Sequence, residues 1–162
     1  MERGGGHMVF IGIAIFILGL DLFIKHQIEQ GKGTSEQGIK LQKKVFRDKI
    51  IIDNCHNYGA VLNIGEKNPK MIKRISLIIA GGILVAFARA LVKKESAWYC
   101  FGMALLVGGS ASNVYDRIKR GYVVDYFHFR VKWKKLRQMV FNLADMFIIA
   151  GAIIAMVEKI KE

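Results

Sequence analysis

The sequence has 162 residues, of which 52% are hydrophobic, and its formal net charge is +12. The apolar residues are gathered into blocks, which excludes an ordinary soluble domain of this size and indicates one integral-membrane domain. The cations lie between these blocks, so anionic lipid is a better candidate partner than nucleic acid.

The first apolar block predicts a membrane-spanning helix over about residues 8–24, with Asp21 as its only charge. The preceding residues 1–7 read as an expression-tag remnant, and we expect the native chain to start at Met8. The block has no clear small-residue cleavage site and an acidic residue follows its core, which disfavours a cleaved signal peptide.

A polar segment over about residues 25–74 follows the first helix and is predicted to lie outside the membrane. Gly31–Ser35 indicates a turn, and residues 39–52 are compatible with short strands. Gly65 and Pro69 are expected to break the chain before the next helix. We therefore predict a small β-rich cradle on the membrane surface, with Tyr126 and Trp133 from later in the chain as interfacial anchors.

Three more helices are predicted over about residues 75–92, 97–115 and 139–157. The second block contains a single charge, Arg89, and the fourth contains Asn142 and Asp145. Each block approaches the roughly 17–25 residues that cross hydrocarbon once its flanks are included. The predicted fold is an all-α membrane protein, a four-transmembrane-helix bundle formed by a single domain over residues 8–162, with the extramembrane cradle between helices 1 and 2.

Four antiparallel spans bring four carboxylates to one end of the bundle. Asp21 lies near the end of the first span, Asp116 and Asp125 follow the end of the third, and Asp145 lies in the fourth. Counting from residue 139, the helical rise places Asp145 about 9–10 Å into that helix. This convergence follows from the order of the spans alone.

Polar residues form a stripe on each of the last two helices. Asn113, Asp116 and Arg117 share one helical face, and Asn142 and Asp145 share another. Such stripes can form two walls of a buried polar site. They can equally form a hydrogen-bonded clamp between helices with no chemistry, and the spacing alone leaves both interpretations open.

Two carboxylates held together at low dielectric cannot both ionise, so the pair retains one proton near neutral pH. The ionised member can then activate water while the protonated member polarises a carbonyl, which suits peptide hydrolysis without a nucleophilic Ser or Cys. No metal site is predicted, because the histidines lack ligand spacing. Cys55 and Cys100 are predicted to be free thiols.

Three motifs resemble the signature of the lipoprotein signal peptidase (signal peptidase II) family. They are Asn113-Val-Tyr-Asp-Arg117, Gly121-Tyr-Val-Val-Asp-Tyr126 and Phe141-Asn-Leu-Ala-Asp145. Leu20–Lys25 and Asn57–Ala60 agree less fully, and the approach to the fourth helix lacks the family's usual proline, so the chain resembles a divergent member. The resemblance implies four transmembrane helices and an aspartic intramembrane protease that removes signal peptides from diacylglyceryl-modified prolipoproteins.

The resemblance also implies roles for individual residues. Asp125 and Asp145 would form the catalytic dyad, and Arg117 would pair with Asp116. The other residues would orient the dyad, hold the substrate or shape the chain: Asn113, Asn142, Asn57, Asp21, Lys25 and Gly121. No cofactor is implied.

By the same resemblance, the protein would be a multi-pass protein of the bacterial inner membrane, with its active site toward the outer face. Expected partners are the lipid-modified substrate and membrane lipids with anionic headgroups, and we expect a monomer. The loop charges oppose this orientation, because residues 25–74 and 113–138 carry eleven and eight Lys plus Arg. Two rival hypotheses are a small proton- or cation-coupled transporter and an inactive homologue that only binds lipidated peptide.

Overall fold

A computed structural model describes residues 5–30, 43–45, 49–60, 64–133 and 139–161. The protein is mostly helical, and its elements in chain order are α1 (Gly5–Gln30), β1 (Lys43–Val45), β2 (Ile50–Asn57), α2 (Pro69–Lys93), α3 (Ala97–Lys119), β3 (Val123–Phe129) and α4 (Leu143–Ile160). The predicted turn at 31–35, part of the strand-compatible stretch and the basic run at 134–138 lie outside the described residues, as does most of the predicted tag.

Three helices extend beyond their predicted bounds at the side of the bundle where the carboxylates lie: α1 to Gln30, α2 from Pro69 and α3 to Lys119. α1 continues to Gln30, six residues past the predicted end at residue 24, and Lys25 in this extension forms a buried i, i+4 salt bridge with Asp21. Glu29, one turn further on, contacts His56 of β2 at 2.7 Å. The salt bridge within α1 and the contact with β2 both stabilise the polar end of this helix.

Pro69 begins α2, so the prediction that it interrupts the chain before that helix was wrong. The missing N–H of proline is tolerated at a first helical position, where no helical partner exists for it. The side chain of Asn68 caps the helix by accepting a hydrogen bond from the backbone N–H of Met71 at 3.2 Å.

The fourth helix begins at Leu143, four residues later than predicted. Phe141 pairs with Phe127 of β3 as an isolated bridge, so the chain before α4 is extended and not helical. Asp145 is therefore in the first turn of its helix, and its predicted depth of about 9–10 Å was wrong.

α3 is the central helix and packs against α1, α2 and α4. Glycines bring α3 and α4 close together: a Cβ atom on Gly109 would lie 2.6 Å from the carbonyl oxygen of Ala144, and one on Gly151 would lie 2.5 Å from that of Gly102. Small residues at such contacts are the usual way for membrane helices to approach each other closely.

The three strands form one antiparallel sheet in the order β1-β2-β3. The small sheet was predicted, but it was placed wholly between helices 1 and 2, whereas its third strand follows α3. In β3, Asp125 is opposite Cys55 of β2, next to an irregularity in the register. The sheet thus ties the segment after α1 to the segment after α3.

Two of the helices in the described part of the chain are long and apolar enough to cross a membrane, Gly6–Gln30 and Pro69–Lys93. Many of their apolar side chains face outward, and Ile78 of α2 is 74% exposed. α3 and α4 do not meet the same criterion. α4 includes Asp145, Glu158 and Lys159 among its 18 residues, and α3 contains glycine and polar residues that suit its central position.

Candidate active site

Asp125 lies in β3, shortly after the end of α3. Gly121 has a φ of +84°, a conformation that favours glycine, and it lets the chain turn from α3 into the strand. The Asp125 side chain is almost fully buried, with 4% exposure. One of its oxygens accepts a hydrogen bond from the Asn57 amide at 2.9 Å, and the other accepts one from the Asn142 amide at 2.7 Å.

Asp145 is held at the start of α4 by a capping box. The backbone N–H of Asp145 donates to the Asn142 side chain at 2.9 Å, and the backbone N–H of Asn142 donates to the Asp145 carboxylate at 3.1 Å. The second carboxylate oxygen of Asp145 accepts a hydrogen bond from the Asn113 amide of α3 at 2.9 Å. The geometry of the carboxylate is therefore fixed by both its own helix end and the neighbouring helix.

Asn142 links the two carboxylates. Its side-chain NH₂ donates to Asp125 and, at 3.2 Å, to the side-chain oxygen of Asn113, while its side-chain oxygen caps α4. The Asn142 side chain is fully buried. Asp125, Asp145, Asn113 and Asn142 thus form one continuous hydrogen-bonded group, which joins Asp125 to residues of the two predicted polar stripes.

The electrostatic surroundings favour the protonated form of Asp125. Burial raises its pKa to about 7, and the nearby Asp145 charge acts in the same direction. The hydrogen bonds from Asn57 and Asn142 and the charge of Lys25 oppose this rise without cancelling it. The carboxyl group therefore titrates in the range where it can exchange a proton at neutral pH.

Beside this group lies a buried ionic cluster centred on Lys25. Its ammonium group contacts Asp21 at 2.8 Å, Asp116 at 3.1 Å and the side-chain oxygen of Asn113 at 2.8 Å. The side chains of Asp21, Lys25 and Asp116 are all fully buried. The cation compensates the two carboxylates, and its hydrogen bond to Asn113 connects the cluster to the asparagine that holds Asp145.

Arg117 does not pair with Asp116, contrary to the role that the resemblance implied. The two residues are adjacent in the helix and diverge by about 100°, because α-helices have 3.6 residues per turn. Asp116 instead forms salt bridges with Lys25 and with Arg120, one turn further along. Arg117 donates to the carbonyl oxygen of Gly59 at 2.9 Å, and so connects α3 with the loop that follows β2.

The loop after β2 is also ordered by Asn57. Its side-chain oxygen accepts a hydrogen bond from the backbone N–H of Gly59 at 3.0 Å while its amide donates to Asp125. Asn57, Arg117 and Asp125 are thus interconnected, although they come from three separate parts of the chain.

Tyr126 was predicted to be an interfacial anchor, and this was wrong. Only 6% of it is exposed, and its hydroxyl donates to Asp21 at 3.2 Å and accepts from the backbone N–H of Leu143 at 2.9 Å. Burial raises the pKa of this hydroxyl, so it remains a neutral donor. The other predicted anchor, Trp133, is 78% exposed and stays a prediction.

Comparison with known proteins decides the family. The sequence profile described as signal peptidase (SPase) II matches residues 13–161. The chain belongs to the signal peptidase II family. It is therefore a peptidase of a membrane-protein family, as the sequence motifs predicted.

Relatives named lipoprotein signal peptidase align with almost the whole chain. The protein from Halothermothrix orenii is 32% identical, and the alignment covers 90% of each chain. The one from Streptococcus pneumoniae is 25% identical over 93% of this chain and 91% of its own. A solved bacterial membrane enzyme shares the fold with a TM-score of 0.76 at 24% identity, covering 94% of this chain and 88% of the other.

In this signal peptidase II family member, sequence reasoning missed Ser112, Ala144 and Arg120, the last of which forms the salt bridge with Asp116. Ser112 donates to Asp21 at 2.6 Å, and the backbone N–H of Ala144 also donates to Asp21, at 3.1 Å. Ser112 directly precedes the Asn113 motif, so its position was a usable signal. The contact at Ala144 involves only backbone, so no residue type could have indicated it.

The described part of the chain contains no group of three or more His, Cys, Asp and Glu side chains placed to hold a metal ion. Cys55 and Cys100 form no disulfide bond with any residue that the structure describes.

Proposed function

We propose that this member of the signal peptidase II family removes signal peptides from lipid-modified prolipoproteins, with Asp125 and Asp145 as its catalytic dyad. The family and the relatives named lipoprotein signal peptidase support the reaction and the substrate class. The observation that carries the dyad is the position of Asn142, which donates a hydrogen bond to each carboxylate.

The environment of each carboxylate supports a division of roles. Asp145 lies in the first turn of α4, where the helix dipole favours a negative charge. Asp125 has a pKa raised to about 7 and can hold the shared proton near neutral pH. Asp145 is then the general base and Asp125 the general acid.

In the proposed reaction, Asp145 takes a proton from water as the water oxygen attacks the scissile carbonyl carbon. Asp125 donates a hydrogen bond to the carbonyl oxygen and stabilises the negative charge that develops there. When the C–N bond breaks, Asp125 gives its proton to the departing amine, and Asp145 keeps the proton that it took from water, so the pair again holds one proton. Asn113 and Asn142 keep the two carboxylates in this arrangement through their amide hydrogen bonds.

The lipid attached to the substrate requires a site at the membrane boundary. We propose that α1 to α4 all span the bilayer and that the sheet forms a cradle on its surface. The shortest of these helices, α4, has 18 residues and a length of about 27 Å, close to the hydrocarbon thickness. Exposed apolar side chains on α2 and α4, among them Ile78 and Ile153, support contact with lipid. The cations around the cradle would face anionic headgroups, and the protein would act as a monomer.

The test is cleavage of a diacylglyceryl-modified prolipoprotein by the purified protein and two variants, Asp125→Asn and Asp145→Asn. Each variant preserves the shape of the side chain but removes the carboxylate, so each is expected to lose at least about a thousandfold in rate. Cleavage that survives in both variants would refute the assigned dyad. Absence of cleavage by the parent protein would refute the peptidase and leave binding of lipidated peptide as the function.

Asp53→Asn provides a matched control, because Asp53 lies in β2 of the same sheet and its carboxylate accepts a hydrogen bond from the backbone N–H of Asn54 at 2.8 Å. This variant makes the same change from carboxylate to amide outside the dyad. We expect its rate of cleavage to be close to that of the parent protein. A loss as large as that of the dyad variants would mean that the assay reports damage to the sheet.

We further propose that the carboxylates face the outside of the bacterial inner membrane, with both termini in the cytoplasm. The family resemblance supports this orientation, although the loop cations would favour the reverse. Alkaline phosphatase fused after residue 161 is expected to be inactive, and fused within residues 31–40 to be active. The opposite pattern would invert the orientation.

A further inference from the structure

Two cations on α2 lie at the end of the bundle away from Asp125 and Asp145. Arg89 and Lys93 are one helical turn apart, and both side chains are exposed. Neither forms a hydrogen bond or salt bridge with any residue that the structure describes. An arginine on an apolar helix face is costly unless its charge meets a counter-ion, so these two charges favour an anionic ligand at this end of the bundle.

A cavity of about 340 Å³ lies beside the two cations, between α2 and the start of α3. Its wall on α2 continues away from the cations through Ala90, Ala86 and Gly82, which follow one another every four residues. From Lys93 to Gly82 this wall extends about 16 Å along the helix. The site therefore combines charge at the helix end with an apolar trough that leads toward the middle of the helix.

The remaining charges at the cavity do not neutralise Arg89 and Lys93. Glu95 is the acidic residue in the lining, and it forms a salt bridge of 2.7 Å with Lys159. The same ammonium group lies 4.7 Å from the centroid of the Tyr99 ring, which forms another wall. The Glu95 charge thus has a cation of its own, and the site remains positive.

We propose that this cavity binds an anionic phospholipid, with the phosphate between Arg89 and Lys93 and an acyl chain along the wall formed by Ala90, Ala86 and Gly82. The two cations match the charge of the headgroup, and the adjoining trough offers apolar surface to the chain. A free phosphate ion would use only the cationic end, which is why the trough favours a lipid. This site is separate from the peptidase site and does not depend on its chemistry.

Native mass spectrometry of the full chain in detergent can test the proposal with phosphatidylglycerol and phosphatidylcholine of identical acyl chains. Tighter binding of phosphatidylglycerol is expected. The double variant Arg89→Gln/Lys93→Gln should weaken that binding about thirtyfold, since each cation near an anionic lipid contributes about a fivefold factor. Equal binding of both lipids by the parent protein would overturn the proposal.

Lys70→Gln/Arg74→Gln is the matched control. These residues have the same spacing on the same helix, and the variant has the same change in net charge at the opposite end of α2. Its binding of phosphatidylglycerol should fall clearly less than that of Arg89→Gln/Lys93→Gln. An equal loss of phosphatidylglycerol binding in both double variants would show that binding depends only on the net charge of the protein. That result would contradict a specific site.

Gly82→Leu tests the trough while leaving both cations in place. A Cβ atom at Gly82 meets nothing within 4 Å, so the larger side chain can be accommodated and would occupy the trough. Weaker binding of phosphatidylglycerol is expected, and unchanged binding would refute the acyl-chain position. Inorganic phosphate and glycerol 3-phosphate should compete poorly with the lipid, and effective competition by either would show an ion site instead.

Discussion

Lys25 and Asp21 form a salt bridge of 2.8 Å one turn apart in α1, and neither side chain has any exposed surface. The same ammonium group contacts Asp116 at 3.1 Å, so a single buried cation compensates two buried carboxylates. Removing one partner of a buried ion pair leaves an uncompensated charge, which is more costly than the loss of the contact itself.

We therefore predict that Lys25→Met lowers the free energy of unfolding by about 3–5 kcal/mol. The measurement is thermal or denaturant-induced unfolding of the protein in detergent. Lys119→Met, at an exposed position of α3, is the control for loss of one positive charge and should have an effect within about 0.5 kcal/mol. Similar stabilities for the two variants would show that the buried cluster contributes little.

The raised pKa of Asp125 predicts that the free energy of unfolding decreases as the pH rises from about 4 to about 7. Its folded-state pKa of about 7 lies above the ordinary value of 3.8, so the folded protein binds more protons than the unfolded chain in this window. The free energy of unfolding then decreases as pH rises through it. Asp125→Asn cannot ionise and should lack this component, so its unfolding midpoint should depend less on pH. Parallel pH profiles for the two proteins would contradict the shift.

The same titration predicts a pH limit on activity. If Asp125 supplies the proton, the rate of prolipoprotein cleavage should decline above about pH 7 as this carboxyl loses its proton. The rate should also decline at acidic pH, where the dyad binds a second proton and loses its base. The resulting bell-shaped profile belongs to the pair of carboxylates and not to one residue. A rate that keeps rising to pH 9 would assign the acid role elsewhere.

The sequence predicted the main parts of the candidate site because helix order and motif spacing place them. Asn113, Asn142 and Asp145 follow from polar stripes on antiparallel helices, and Asp125 follows from its place after the third span and from the family motif. The start of α4 was predicted too early, because the apolar residues before Asn142 were counted with the helix, although Asn142 with Asp145 three positions later is a local capping signal. The pairing of Phe141 with Phe127 across the chain keeps the preceding stretch extended.

The side-chain partners within the buried cluster could not be predicted from neighbouring residues in the sequence. Arg117 follows Asp116 directly, so proximity in sequence suggested a pair, but the helix turns the two side chains apart. The salt bridge from Lys25 to Asp116 joins residues that are 91 positions apart in the sequence, so no local pattern indicates it. Tyr126 carries the features of an interfacial aromatic, and its burial became evident only once Asp21 and α4 were positioned around it.

Close packing of α3 on α4 gives a prediction about Gly109. A Cβ atom there would lie 2.6 Å from the Ala144 carbonyl oxygen and 2.8 Å from Ile148, so Gly109→Ala must separate the helices. We expect a loss of about 1–3 kcal/mol in the free energy of unfolding. The shift would also move Ala144 and the nearby start of α4, so the rate of cleavage should fall as well.

Gly12→Ala in α1 is the control for this substitution, because its Cβ atom would meet nothing within 4 Å. It should be neutral or slightly stabilising, since alanine has the higher helix propensity. Equal destabilisation by both substitutions would mean that helix packing at Gly109 is not the cause.

The hydroxyl of Tyr126 gives the last prediction. It donates to Asp21 and accepts from the backbone N–H of Leu143, so it connects β3, α1 and the first residue of α4. Tyr126→Phe keeps the ring but leaves the partly buried Leu143 N–H without this partner and the buried Asp21 with one donor fewer, and we expect a loss of about 1–3 kcal/mol in the free energy of unfolding.

Tyr115→Phe removes the same group from a position on α3 that is 43% exposed, and it should change stability by less than about 0.5 kcal/mol. Unfolding in detergent compares the two variants directly. Because Tyr126 follows Asp125 and contacts the start of the Asp145 helix, its variant should also cleave prolipoprotein more slowly. A stable but slow Tyr126→Phe protein would place the effect on the alignment of the two carboxylates, whereas full stability and full activity would show that this hydroxyl is dispensable.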